Sequence, residues 1–263
     1  MSAELEIRFN NLYLEYFHKA EQHRRWNLLN DIPWEQVKTQ PDQNIATVVQ
    51  AYFAVEMYLP DYTSKILHLI RASRGRGWFQ ANWGYEESKH SLALEMWLTK
   101  SGAMTQEQVF EYTEQLLAGE WRLPYDTPLE MMLYTTLQEF ATSLNYRGLR
   151  KYAQEKGDGA LDKVLHLLSR DETAHFEFFK NGSLLFMEHN RDRALESLNH
   201  VIRTFQMPAQ ELIPGWKAND QLIRDLGIFN DRMYMRDVVK PVLKALGVEA
   251  EELREARRRL EEV

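Results

Sequence analysis

The run MMLYTTLQEFATSLNY (131–146), followed at 169–176 by SRDETAHF, decides how this chain reads. The first segment is long enough for several helical turns and carries one acid, Glu139, among apolar or uncharged residues. The second places Glu172 and His175 three residues apart, which stacks them a turn above one another on one helix face. A helix bearing a lone Glu, then a helix bearing Glu-x-x-His, is a pattern that can aim three metal-binding groups at one point.

The same pattern stands upstream. AYFAVEMYLP (51–60) holds Glu56, and YEESKHS (85–91) holds Glu87 and His90, at a matching distance. The two halves read as an internal duplication of a helix hairpin. A third pair, Glu15 and His18, has no such acid before it and is the kind of match chance supplies. Glu56 has Val49, Tyr52, Phe53 and Leu59 as helical neighbours, so it points along an apolar face. An unpaired buried carboxylate is costly or takes up a proton, and four converging ones without a cation are worse. Two divalent metals balance four carboxylates. Glu56, Glu87, His90, Glu139, Glu172 and His175 are therefore the candidate ligands. The ligand set is that of ferritin-like di-metal carboxylate bundles. Thr135, Thr136, Thr142 and Ser143 surround Glu139 with small side chains, leaving room for a gas or substrate.

The rest of the chain is read as helices between sparse breaks, with 12 glycines and 8 prolines in 263 residues. One helical stretch is expected over 44–72, with a possible kink at Pro60. RGRG (74–77) is read as its end, and a second helix as running about 78–101. Thr105 and Gln108 form a capping box for a helix to about 117. Trp121 to Asp126 reads as a loop, Thr127-Pro128 as the start of a helix to about 156, and Gly157-Asp158-Gly159 as a turn before a helix over 160–189. Shorter helices follow at 191–206, 218–226, 231–245 and 248–262. No segment alternates as a strand. The class is all-α, a four-helix bundle core with additional flanking helices, in one domain spanning 1–263.

Composition narrows the chemistry. No cysteine is present, which excludes disulfides, thiolate metal sites and iron–sulfur clusters and leaves His and carboxylate as metal donors. A net charge of −7 argues against nucleic-acid binding. No apolar run suits a membrane span, and MSAELEIRFNN at the start lacks the h-region of a signal peptide. The expected location is cytoplasmic.

YEESKHS (85–91), LQEFATS (137–143) and RDETAHF (170–176) resemble the motifs of the soluble acyl-acyl-carrier-protein desaturases. The likeness extends in order to VEMYLPDY (55–62), MPA (207–209) and RRWNLLNDIP (24–33), and so covers most of the chain. It implies a diiron centre cycling between Fe2+ and Fe3+. Glu56, Glu87 and His90 would lie mainly on one iron and Glu139, Glu172 and His175 on the other, with Glu87 and Glu172 bridging. It implies a proton-delivering role for Thr142, a place near the cluster for Trp83, and an electron path through Trp26, Asp171 and His175. The implied reaction inserts a cis double bond into a saturated chain on acyl carrier protein or another thioester. It uses O2 and two electrons from a ferredoxin-type donor, in a homodimer. Ser88-Lys89 stands where plant members have Asn-Arg, and the length resembles bacterial members. Acyl carrier protein is acidic, so Arg24 and Arg25, or Arg71, Arg74 and Arg76, are candidate docking cations. Two other readings fit the six ligands: a diiron oxygenase acting as hydroxylase or N-oxygenase, and a ferritin-type iron store.

Overall fold

The computed structural model describes residues 2–261, and among them every regular element is helical. The bundle is formed by α2 (Gln43–Glu56), α4 (Arg74–Lys100), α6 (Pro128–Lys156) and α7 (Gly159–His189). Short polar side chains start these helices by accepting backbone N–H bonds. Asp42 does so for α2, Thr127 for α6 with Pro128 at the first turn, and Asp158 for α7. Gly157 closes α6 in the left-handed region, with φ at 73°, where a side chain would be strained. The α6–α7 hairpin is the most extensive pairing, and α4 packs on α2 and α7.

Around this core lie α1 (Ala3–Lys19), α3 (Leu59–Ile70), α5 (Gln106–Leu117), α8 (Arg191–Thr204), α9 (Trp216–Asp225), α10 (Asp231–Met233), α11 (Lys240–Ala245) and α12 (Ala250–Glu261). A π-helical segment, Tyr234–Val239, joins α10 to α11, so the expected 231–245 helix is continuous but irregular. The expected capping box at Thr105 and Gln108 is present on α5. Position 262 of the last expected helix lies outside the described residues.

Two expectations need correction, and one helix goes beyond the sequence reading. The stretch 44–72 is two helices, not one kinked helix: α2 ends at Glu56 and α3 starts at Leu59. Pro60 explains the break, because its ring collides with the carbonyl four residues earlier, that of Glu56. RGRG is not a terminus but the first turn of α4. Gly75 serves there as a contact point, since a Cβ would lie 2.4 Å from the Phe9 backbone of α1. Finally, α1 itself carries no expectation in the sequence reading, yet Leu5, Phe9, Tyr13 and Tyr16 bury one stripe of it against the bundle.

Two apolar cores fill the bundle. One contains Phe9, Phe79, Leu133 and Phe179; the other contains Phe53, Trp97, Leu149 and Leu165. On α4, α6 and α7 the polar residues Glu87, His90, Glu139, Glu172 and His175 fall where one core gives way to the other. The candidate site is thus a polar layer sealed above and below by hydrocarbon.

Candidate metal centre

The helix geometry brings all six candidate ligands together, none more than 6% exposed. Glu56, Glu87, His90 and Glu172 present donor atoms within 4.8 Å of one another, and so do Glu87, Glu139, Glu172 and His175. Glu87 and Glu172 belong to both groups, as bridging residues must. Glu15 and His18 belong to neither, and both are exposed on α1.

Each imidazole turns Nδ1 inward and Nε2 outward. His90 Nδ1 lies 3.1 Å from Glu87 and 3.3 Å from Glu172, while Nε2 lies 3.5 Å from Asp171. His175 Nδ1 lies 3.0 Å from Glu87, 3.4 Å from Glu172 and 3.5 Å from Glu139, while Nε2 is 2.8 Å from Glu86. An outer carboxylate on a histidine fixes the ring and raises its basicity as a ligand. The two halves exchange these carboxylates: Asp171, beside Glu172, serves His90, and Glu86, beside Glu87, serves His175.

Trp26 donates from Nε1 to Asp171 at 2.7 Å. Its line inward therefore runs through Asp171 to His90, not to His175 as expected from the sequence. On the other side Tyr16 donates to Glu86. Arg24 joins the two, 2.8 Å from Asp171 and 2.9 Å from Glu86, and Arg25 also pairs with Glu86. Arg24 and Arg25 are thus committed to the centre rather than free for docking, and Arg76 is buried. Of the expected docking cations, Arg71 and Arg74 are exposed. Trp83 donates to Glu139 at 3.0 Å, and Tyr146 donates to Glu56. Glu86, Tyr16 and Tyr146 are absent from the sequence reading. Glu86 had one signal, a second acid beside Glu87.

The donor set fits a pair of metal ions. Glu87 Oε1, Glu139 Oε2 and both ring nitrogens of His90 are buried without a formed hydrogen bond. Oxygen and imidazole donors in this number suit iron or manganese. Burial raises Glu56 well above the ordinary carboxylate range, and the charges of Glu87 and Glu172 add to it. Burial, then Glu172, does the same to Glu139. Glu172 goes the other way: burial opposes ionisation, but bonds with Glu139, His175 and His90 hold its pKa low. Burial would lower both histidines. The charge of Glu87 overrides it at His90, and Tyr16 with the surrounding carboxylates overrides it at His175, so both are raised. The protons held this way are the ones a pair of cations displaces.

Two cavities reach the centre. One is lined by Glu56, Glu87 and Glu172 together with Ile66, Met131 and Phe179; the other by Glu56 with Tyr52, Trp216 and Phe229. Val55, Glu56 and Thr142 line both. Thr142 donates to the Gln138 carbonyl at 3.0 Å. No described helix is long and apolar enough to cross a membrane.

The family model "Fatty acid desaturase" matches residues 19–263. A Mycobacterium tuberculosis protein assigned as the acyl-[acyl-carrier-protein] desaturase DesA1 is 25% identical over 244 residues, covering 84% of this chain and 71% of that one. The chloroplastic acyl-[acyl-carrier-protein] desaturase 3 of Oryza sativa subsp. indica is 28% identical over 194 residues, covering 69% of this chain and 47% of the rice protein. Among solved structures, the M. tuberculosis protein assigned as acyl-ACP desaturase DesA2 superposes with a TM-score of 0.70 at 17% identity, over 96% of this chain and 99% of that one. An R2-like ligand-binding oxidase reconstituted with Mn/Fe superposes with a TM-score of 0.61 at 15% identity, over 92% and 93%. These likenesses establish a ferritin-like helical fold.

Proposed function

Because this chain belongs to the fatty acid desaturase family, we propose that it is a diiron acyl-acyl-carrier-protein desaturase. The observation that carries the reading is the pair of overlapping four-donor groups opening onto an apolar cavity. Glu56, Glu87, His90 and Glu172 would hold one iron, and Glu87, Glu139, Glu172 and His175 the other. When bound, the iron pair supplies dioxygen reduction and the removal of two hydrogens from adjacent methylenes.

The chain's own residues do the rest. The cavity walls exclude water and fix which carbon–carbon bond lies beside the carboxylates. Thr142 lines both cavities together with Glu56, which supports a proton-passing role for its hydroxyl there. Trp83 orients Glu139 through its indole N–H. Trp26 and Asp171 offer electrons from a ferredoxin-type donor a route inward, Trp26 donating to Asp171, whose carboxylate lies 3.5 Å from His90. For the homodimer, support comes from five exposed apolar side chains on adjacent helices. Trp78, Tyr85 and Leu92 recur every second turn of α4, with Ile7 and Leu14 on α1; all are 40–60% exposed.

The test is to load the purified protein with ferrous iron, supply reduced ferredoxin, O2 and saturated acyl-acyl carrier protein, and analyse the released acids. A cis-monounsaturated product supports the reading. Iron-loaded protein that consumes O2 with a reductant but leaves every acyl chain saturated overturns it.

A further inference from the structure

The cavity beside the carboxylates does not end at Ile66 and Phe179. Those residues, with Gln80, Met131 and Thr135, also line a further, narrow cavity reaching Ile70 and Met132. The walls of this extension are mostly apolar, and Thr135 donates back to the Met131 carbonyl at 2.8 Å. Gln80 and Arg76 are the polar exceptions. Gln80 is 1% exposed, lines both cavities, and its Nε2 has no hydrogen-bond partner. A plain hydrocarbon chain in this channel would leave that amide unsatisfied, which is unfavourable in a dry site.

Gln80 lies two turns before Glu87 on the inward face of α4, about 10 Å along the helix axis. Arg76, one turn further, bounds the same cavity, but its guanidinium is held by Ser73 at 2.9 Å and Glu6 at 3.3 Å. With that charge already balanced, the region favours a neutral oxygen over a carboxylate. We infer that the preferred acyl substrate carries a hydroxyl or keto oxygen several methylenes beyond the reacting bond, and that Gln80 binds it. This rests on the desaturase reading above and names a substrate class within it. Gln80 is then a specificity residue, reading the distal half of the chain.

The test is calorimetric binding to the iron-loaded protein without O2. The probes are palmitoyl-pantetheine and its counterparts with a hydroxyl at successive carbons toward the methyl end. One hydroxyl position should bind about tenfold more tightly than palmitoyl-pantetheine, the scale of one buried hydrogen bond. Gln80→Leu should erase that preference while binding palmitoyl-pantetheine at least as well as wild type. Gln80→Met serves in its place if the Leu variant folds poorly. Wild type that prefers the unmodified chain over every hydroxylated one overturns the inference and leaves the desaturase reading standing. A preference that survives in both variants removes Gln80 from it. Failure of every acyl chain, on pantetheine or on acyl carrier protein, to bind wild type overturns the desaturase reading itself.

Discussion

At the scale of single residues, the centre splits into a part that the sequence displays and a part it conceals. Glu56 and Glu139 are conspicuous because a lone acid in an apolar helical run is expensive unless something converges on it. Glu87/His90 and Glu172/His175 are conspicuous because three-residue spacing shares a helix face. Glu86 escapes the same logic. It adjoins Glu87, and adjacent helix positions diverge, so it reads as outward and solvated. It is buried only because α1 and the segment carrying Arg24 and Arg25 cover that side of α4. Its pKa follows from that cover. Burial pushes it up, but the bond to His175 and the charges of His175 and Arg24 outweigh burial and bring it down from 4.5 to about 2. A depressed folded-state pKa means stability that is complete above pH 4.5 and lost as pH falls toward 2. Glu86→Gln should destabilise the fold by about 3 kcal/mol near neutral pH, since it leaves buried cations underpaired. Its loss of stability on acidification from pH 4.5 to 2 should also be shallower than that of wild type. Urea titrations across that range measure both; parallel acid profiles would remove Glu86 from the account. The same variant should bind its metals 10–100-fold more weakly, the usual loss when a partner behind a ligating histidine is removed.

At the scale of elements, helix existence follows from caps and periodicity, whereas junctions depend on what packs across them. The capping box of α5 and the Thr127-Pro128 start of α6 are local chemistry and are legible. The RGRG segment misleads because two glycines near a helix end normally signal termination, while the role of Gly75 is set by a helix distant in sequence. Helix α1 is hard to see because exposed polar residues surround a narrow apolar stripe. Gly75→Ala tests the crossing. The added methyl meets the Phe9 carbonyl carbon and oxygen at 2.4 Å, and backbone cannot swing aside as a side chain can. The change should cost about 1–3 kcal/mol, as overpacking does. It should also loosen α1 and with it the Tyr16 bond to Glu86. Denaturant midpoints would measure the first, and hydrogen exchange along α1 the second; an unchanged midpoint would mean the two helices are not in forced contact.

At the scale of the whole molecule, two features organise the protein: a charged layer within its hydrocarbon core and an apolar stripe on its outside. For the charged layer, Glu56, Glu139, His90 and His175 all have raised pKa values, so metals must compete with protons for them. Iron loading should release protons, bind progressively more weakly as pH falls, and raise the melting temperature of the protein, because cations bind the assembled layer and not the unfolded chain. Calorimetry in buffers of different ionisation enthalpy reads the proton count, and affinity independent of pH would refute the competition. The outer stripe lies on the same helix that carries Glu87 and His90. α4 must turn Glu87 and His90 inward and pack α1, α2, α3 and α7 around itself, which leaves one face without cover, where Trp78, Tyr85 and Leu92 repeat. Tyr13 meets Trp78 edge-on at 6.3 Å and Arg74 lies 4.1 Å over its ring, so this side chain is held in place rather than free to fold back. A row of exposed apolar side chains along one helix face fits an interaction site, and a second copy would meet it with the same face across a two-fold axis. Leu92→Glu and Tyr85→Glu each put a charge into that contact without touching the buried ligands. The double variant should elute as a monomer where wild type elutes as a dimer, and it should still bind two irons. Wild type that is monomeric at micromolar concentration would exclude this stripe as a dimer face, and a double variant that remains dimeric would move the interface to another side of the bundle.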